Sequence, residues 1–299
     1  MLWPMNIRPS NWRRFPTVTS EMPGSVQIGA AWRDAGLRID RLDARLLLER
    51  VCACTHADLI AHSARELTDD QAVRFAGLIA RREAGEPLAY LLGSAFFCGL
   101  EFAVSPTVLI PRPETEVLVE QAEALAQKLA VPRIVDMGTG SGIVAIVLAR
   151  RCPAAHVAAV DVSPEALAVA RANAERHGVA VRFLEGDWYS PLADERFDLI
   201  VSNPPYVVAG EPHLQQNGLP FEPQVALTDA VAGGDGLACI RTLIASAHKH
   251  LSPAGRLLIE HGYDQAVQVQ ELLRASGFTS VESWRDEAGI ERVSGGQWS

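Results

Sequence analysis

The heptapeptide Asp136-Met137-Gly138-Thr139-Gly140-Ser141-Gly142 constrains this chain more than any other stretch. It follows the apolar run Ile134-Val135-Asp136, which reads as a strand, and leads straight into Ile143 to Arg150, which reads as a helix. Alternating glycines at such a joint let the backbone approach a ligand where any Cβ would clash. The strand–turn–helix pattern then continues. His156 to Val160, Val181 to Leu184, Phe197 to Ser202 and Arg256 to Glu260 read as strands. Pro164 to Arg176, Ile240 to His250 and Gln265 to Ser276 read as helices, and two short strands close the chain. Alternation of this kind predicts an α/β fold with a mostly parallel, doubly wound sheet.

The glycine spacing narrows the ligand. A dinucleotide fingerprint, G-x-G-x-x-G, needs glycine where this chain has Ile143, and no Lys-Ser or Lys-Thr follows to make a Walker loop. Asp161 closes the second strand, where an acid can bind both hydroxyls of a ribose. Gly186-Asp187-Trp188 follows the third strand; a carboxylate there can accept from an adenine amino group, and an indole can cover the base. Each member has a plainer reading, Asp161 as a cap for the helix from Pro164 and Trp188 as packing. The ordered set, each at a strand's carboxyl end, is far more specific. It describes an adenosyl site without a phosphate cradle, which S-adenosylmethionine fits.

A second motif carries the chemistry. Asn203-Pro204-Pro205-Tyr206 ends the apolar run Phe197 to Ser202. A planar amide or exocyclic amine is a poor nucleophile because its lone pair is delocalised, so a site that methylates one must grip both N–H groups. Asn203 can accept through its side-chain oxygen, proline keeps a carbonyl though it lacks an N–H, and Tyr206 can lie flat on a planar group. The plain alternative is a proline-rich turn.

The 299 residues are enough for two domains. The net charge of -9 argues against sequence-independent binding to phosphate backbones. Five scattered cysteines without a C-x-x-C pair argue against a disulfide framework or a zinc site, and no metal site is expected. Reduced thiols and the lack of an apolar run near the roughly 20 residues that span a bilayer point to a cytoplasmic protein without a membrane segment. Residues 1–24 lack the apolar core of a secretory signal and are read as a disordered extension. Residues 25–94 form a helical domain. Leu42, Leu46, Leu47 and Val51 recur at helical steps, Val73, Leu78 and Ile79 lie on a second amphipathic stretch, and Thr68 caps it. Residues 95–112 are a hairpin-like linker, and 113–299 the catalytic domain.

The ordered motifs resemble class I S-adenosylmethionine methyltransferases acting on planar nitrogen. Three further stretches narrow the resemblance: Leu109-Ile110-Pro111-Arg112-Pro113-Glu114-Thr115-Glu116; Pro212-His213-Leu214-Gln215-Gln216 with Phe221-Glu222-Pro223; and Glu260-His261-Gly262. From about residue 30 onward the chain is similar to the peptide chain release factor glutamine methyltransferases, the HemK/PrmC family. That resemblance implies a Rossmann-like, seven-stranded sheet and a substrate: the glutamine of the Gly-Gly-Gln loop in release factors. It implies that Gly138, Thr139, Gly140, Ser141, Gly142, Asp161, Asp187 and Trp188 hold S-adenosyl-L-methionine, with S-adenosyl-L-homocysteine as product. It implies that Asn203 touches both cofactor and substrate, and that Asn203, Pro204, Pro205 and Tyr206 form the glutamine pocket, with Asn203, Pro204 and Tyr206 catalytic. The expected partner is the release factor alone, acted on by a monomer without nucleic acid.

Three other readings compete: a ribosomal-protein glutamine methyltransferase, a DNA adenine-N6 methyltransferase, and a cofactor-binding scaffold without catalysis. The acidic charge disfavours DNA, and intact Asn203 and Tyr206 disfavour a scaffold. Some residues tempt without persuading. Glu260-His261 could be an acid–base pair but suits a structural turn with Gly262 better. Glu114 and Glu116 are simplest as first-turn helix acids. His213, Gln215 and Gln216 sit in a long loop that suits a lid or a contact with the protein substrate. Gly295-Gly296-Gln297 copies the expected substrate motif, but three residues recur by chance.

Overall fold

A computed structural model describes residues 26–299, and the 1–24 extension expected from sequence lies outside them. The described residues divide into two compact units, 26–79 and 80–299.

In the first unit, α1 (Ile28–Ala35), α2 (Arg41–Cys52) and α3 (His56–Ala61) lead to α4 (Asp69–Glu83), which carries the chain across the division. Caps fix the starts. The Asp40 carboxylate accepts from the Leu42 amide at 2.7 Å, and Thr55 and Asp58 form a reciprocal capping box. Thr68 caps α4 as its sequence suggests, with Gln71 as the reciprocal partner at 3.1 and 3.2 Å. The apolar stripes are shifted from those expected. In α2 the buried residues are Ala44, Leu47, Leu48 and Val51, while Leu42 is 52% exposed. In α4 they are Phe75 and Ile79, while Val73 is 72% exposed. A leucine or valine count cannot tell which side of a first turn meets the core.

The second unit opens with α5 (Leu88–Leu92) and a hairpin of β1 (Ser94–Phe97) and β2 (Leu100–Ala103). Cys98 and Gly99 turn it with φ of 49° and 75°, both left-handed as a two-residue hairpin turn requires. A 3₁₀ turn at Pro113–Thr115 starts α6 (Glu116–Ala126). Then come β3 (Arg133–Met137), α7 (Ile143–Arg151), β4 (His156–Asp161), α8 (Pro164–His177), β5 (Arg182–Glu185) and β6 (Phe197–Ser202). The long segment after β6 is not bare loop. It holds β7 (Val207–Ala209), α9 (Gln224–Leu227) and β8 (Thr228–Ala232), with β7 and β8 paired in parallel. The chain ends with α10 (Ala238–His250), β9 (Leu251–Glu260), α11 (Ala266–Ala275), β10 (Thr279–Arg285) and β11 (Glu291–Gln297).

Seven strands make one sheet in the order β10-β11-β9-β6-β3-β4-β5. β11 alone runs opposite to the other six strands, pairing antiparallel with β10 on one side and β9 on the other. Alternation along each strand divides the core. Ile134, Leu199 and Leu258 join Leu118 of α6 and Ile146 of α7 on one face. Val135, Ile200 and Leu257 join Ile240 of α10 and Val269 of α11 on the other. From β3 the chain steps to β4 and β5, then returns to place β6 on the opposite side of β3. This reversal opens a crevice at the carboxyl ends of β3 and β6, the place where doubly wound sheets bind ligands.

The Gly295-Gly296-Gln297 sequence lies within β11, paired to Leu258, Leu257 and Arg256. Its glycines serve packing: a Cβ at Gly295 would stand 2.4 Å from Leu258 Cδ2 and 2.6 Å from the Leu257 carbonyl oxygen. Gly295→Ala should therefore lower stability by about 1–3 kcal/mol, measured as a reduced urea midpoint with an unchanged slope.

Candidate active site

At the crevice lies a cavity of about 450 Å³. Register builds it. Met137 of β3 pairs with Ser202 of β6, and the Ser202 hydroxyl donates to the Met137 carbonyl at 2.7 Å. The next residues on the two strands, Gly138 and Asn203, therefore emerge side by side, and both line the cavity.

Of the residues singled out from sequence, Gly138, Thr139, Gly140, Ser141, Asp161, Asp187, Trp188, Asn203 and Pro205 line this one space. Gly142, Pro204 and Tyr206 do not. Gly142 turns its α-carbon to the protein. With φ of 84°, it would carry a Cβ only 2.9 Å from Ile146 and 3.1 Å from Ala170 Cβ. Glycine there lets the turn lie tight on α8. Gly138, at φ 73°, faces the Trp188 ring, which a Cβ would meet at 3.6 Å. The 203–206 segment alternates as extended chain does. Asn203 and Pro205 face the cavity, Pro204 is buried, and the Tyr206 hydroxyl donates to Glu260 Oε1 at 3.4 Å.

Backbone donors fix Asp161. Its carboxylate accepts the Gly140 amide at 2.8 Å and the Ser163 amide at 2.9 Å, one on each oxygen. The carboxylate, with about four lone-pair sites, keeps acceptor capacity for a ligand. Burial raises the Asp161 carboxyl against these bonds. Asp136 is deeper, and burial pushes it up to about 7 although the Thr139 hydroxyl donates to it at 2.6 Å. A cation arriving in the cavity would draw both carboxyls down.

Several positioning residues escaped the sequence reading. Thr115, fully buried, lines the cavity and accepts the Asn203 Nδ2 hydrogen at 3.0 Å. That contact leaves Asn203 Oδ1 free to face a ligand. Asn173 of α8 is also fully buried. Its amide donates to the Ser141 carbonyl at 2.9 Å and to the Ala103 carbonyl at 3.0 Å, and its oxygen accepts the Ala103 amide at 2.7 Å. Gln265 donates to the Tyr206 carbonyl at 3.1 Å and the Asp235 carbonyl at 3.2 Å, and accepts the Gly262 amide at 2.8 Å. Glu222 joins two of the stretches quoted above: it accepts the Ile110 amide at 3.0 Å and pairs with Arg112 at 2.5 Å. Apart from the local Gln265–Gly262 bond, these pairs lie 30 to 112 residues apart in sequence.

The tempting residues resolve plainly. The His261 ring is fully buried between the Gly262 carbonyl at 2.9 Å and the Ser294 hydroxyl at 2.8 Å. Burial lowers its basicity, so it sits as a neutral ring in a structural turn. Glu116 accepts the Cys98 amide at 2.8 Å, and neither Glu114 nor Glu116 lines the cavity. His213 is exposed and pairs with Glu211 at 2.8 Å. Among the described residues no cluster of His, Cys, Asp and Glu could hold a metal ion, and no helix is long and apolar enough to cross a membrane.

This architecture is that of a methyltransferase. Residues 114–217 match the Methyltransferase small domain family, and residues 27–93 match the PrmC N-terminal domain. The chain is 50% identical to the release factor glutamine methyltransferase of Bordetella pertussis, covering 88% of this chain and 96% of that one. It is 48% identical to the Burkholderia pseudomallei protein of the same name, covering 87% and 92%. The Salmonella typhimurium protein so named is 45% identical, again over 87% and 92%. The chain belongs to the release factor glutamine methyltransferase family. Solved structures confirm the fold alone. The hMettl16 catalytic domain bound to a MAT2A 3'UTR hairpin superposes with a TM-score of 0.53 at 18% identity, over 79% of this chain and 85% of that one. The Thermus thermophilus 16S rRNA N2 G1207 methyltransferase, with AdoMet and guanosine, gives 0.51 at 22% identity, over 69% and 50%.

Glu222→Ala would strand the Ile110 amide and the half-buried Arg112 guanidinium. We expect a loss of about 1–3 kcal/mol, seen in chemical denaturation, with faster proteolytic nicking between 207 and 235.

Proposed function

We propose that this chain transfers the methyl group of S-adenosyl-L-methionine to the side-chain amide nitrogen of the glutamine in the Gly-Gly-Gln motif of peptide chain release factors. One observation carries the reading: Asn203, the residue suited to grip a carboxamide, opens into the same cavity as the glycine turn and Asp161. The charge of that cavity supports the cofactor. Asp136, Asp161, Asp187 and Asp229 line it, against Arg112, which Glu222 already engages. Such a lining suits a sulfonium and an ammonium and repels a diphosphate. Asp161 would take the ribose hydroxyls, Asp187 the adenine amino group and Trp188 the face of the base, with the 138–141 turn against the remainder.

S-adenosyl-L-methionine, when bound, supplies a methyl carbon made electrophilic by its sulfonium, and S-adenosyl-L-homocysteine is left as product. The chain's own residues do the positioning. Asn203 Oδ1 accepts one N–H of the substrate amide, and the Pro204 carbonyl accepts the other. Acceptors set to favour a more tetrahedral nitrogen localise its lone pair and aim it at the cavity. Well-oriented reactants gain about 7–11 kcal/mol from such alignment. The Tyr206 ring, its hydroxyl tied to Glu260, stiffens the segment from outside the cavity lining. An N-methylated amide cation loses its proton readily, so no strong base is required.

The helical 25–94 segment is assigned to recognition of the protein substrate, with 95–112 linking it to the catalytic 113–299. A pocket for one side chain cannot by itself select one glutamine among many. The enzyme is proposed to act as a cytoplasmic monomer, without nucleic acid.

Asn203→Ala should lower kcat by about 10²–10³-fold while the Kd for S-adenosyl-L-methionine, measured by calorimetry, stays near that of the wild type. Mass spectrometry of a purified release factor should show one added methyl on the motif glutamine with wild-type enzyme and none with the variant. Full turnover by Asn203→Ala would refute the proposed grip.

A further inference from the structure

Glu260 ends β9 behind the cavity, 1% exposed, and its carboxylate has an unusual setting. His261, its neighbour in sequence, turns to Ser294 and leaves it alone. Oε1 accepts the Tyr206 hydroxyl, while Oε2 is buried without a partner in hydrogen-bonding geometry. The neighbouring donor is the Thr115 hydroxyl, which pulls the carboxyl toward its charged form. Thr115 in turn accepts the Asn203 Nδ2 hydrogen.

These contacts have a direction. A hydroxyl that accepts from an amide still has one proton to give, and the buried Oε2 of Glu260, which has no partner of its own, is the carboxylate oxygen left to take it. An ionised carboxylate only accepts. It draws the Thr115 proton toward itself, turns a Thr115 lone pair to Asn203, and so keeps Nδ2 on Thr115 and Oδ1 in the cavity. A neutral carboxyl has a proton of its own. It can donate to Thr115, whose proton is then released toward Asn203. The amide can flip, presenting Nδ2 to a substrate that needs an acceptor.

Resting on the function proposed above, we propose that Glu260 is a positioning residue whose carboxylate acts through Thr115 to hold the Asn203 amide with its oxygen toward the substrate. The arrangement makes turnover depend on pH near neutrality. Burial pushes the Glu260 carboxyl up to about 7, and Glu114, from the turn before α6, adds to the rise. Thr115, the Tyr206 hydroxyl after β6 and Arg292 of β11 oppose it, Arg292 being itself paired with Asp286 at 2.8 Å. Above that value the carboxylate enforces the productive amide, and below it the hold is lost. The rate therefore falls on the acid side.

The test uses the full-length protein and a purified release factor. Wild-type kcat should fall with acid through a limb centred near 7. Glu260→Gln, which can donate to Thr115 at every pH, should lower kcat at pH 8 by about a hundredfold, lose the acid limb and keep the KM for S-adenosyl-L-methionine. Thr115→Val should do the same. A wild-type kcat in Glu260→Gln, or an acid limb that survives both substitutions, would overturn the inference. A substrate-free readout separates its failure from failure of the proposed function. The Glu260 carboxyl carbon resonance should titrate near 7 in the wild type and at higher pH in Thr115→Val, which lacks the donor. An unmoved midpoint overturns the coupling even where methyl transfer succeeds. A moved midpoint supports it even where release factor is not methylated.

Discussion

The hydrogen-bonded pairing of Met137 with Ser202 is the constraint on which the site depends. It sets two strand ends level across the switch point, so that a glycine turn and a rigid Asn-Pro-Pro segment emerge as neighbours. A slip of one residue would send Asn203 to the opposite face of the sheet. The pairing is defended from both sides by buried layers, with Ile134 and Leu199 on one face and Val135 and Ile200 on the other. Fully burying one such side chain contributes about 1.5–3 kcal/mol, so register errors are costly.

Around this pairing, polar groups do what apolar packing cannot: they fix directions. Asn173 ties the glycine turn to the β1–β2 hairpin, Gln265 holds the Tyr206 carbonyl, and Glu222 joins the 110–112 stretch to the segment after β6. Each of these side chains satisfies several partners. Polar groups buried this way rigidify only when fully connected. The glycines divide the labour in the same spirit. Gly138 lies against the Trp188 ring at the cavity, whereas Gly142 lets the turn settle on Ala170 of α8.

The sheet and its helices were legible because strand and helix periods are local. Ile134 to Asp136 and Phe197 to Ser202 were read within a residue or so of β3 and β6. The cavity was legible in outline because motifs at strand ends share a place once the strands are parallel. What escaped has a common physical cause. Thr115, Asn173, Gln265 and Glu222 act on partners far away in sequence, and nothing in their own neighbourhood marks them as buried. Short elements such as α5 and the β7–β8 pair escaped as well, since a few residues show no period. The shifted stripes of α2 and α4 belong here too: Leu42 and Val73 have the right residue type but the wrong angle about the helix axis. Nor could local pattern tell that Asn203 and Pro205 face the cavity while Tyr206 reaches to Glu260.

Asp136 and Glu260 show what this arrangement costs. Both are fully enclosed carboxyls held near 7 by burial. The unfolded chain gives up these protons near the ordinary carboxylate range, while the folded protein keeps them until about 7. Across that window the native state binds more protons than the unfolded state, so stability falls as pH rises and levels off above 7. A chain selected for stability alone would hold neutral side chains at both places. Asp136 sits under the glycine turn with Thr139, and Glu260 sits behind Asn203 with Thr115 and Tyr206, so each costly charge backs one half of the site. That pairing of expense with location is what a fold organised around a ligand cavity would be expected to contain.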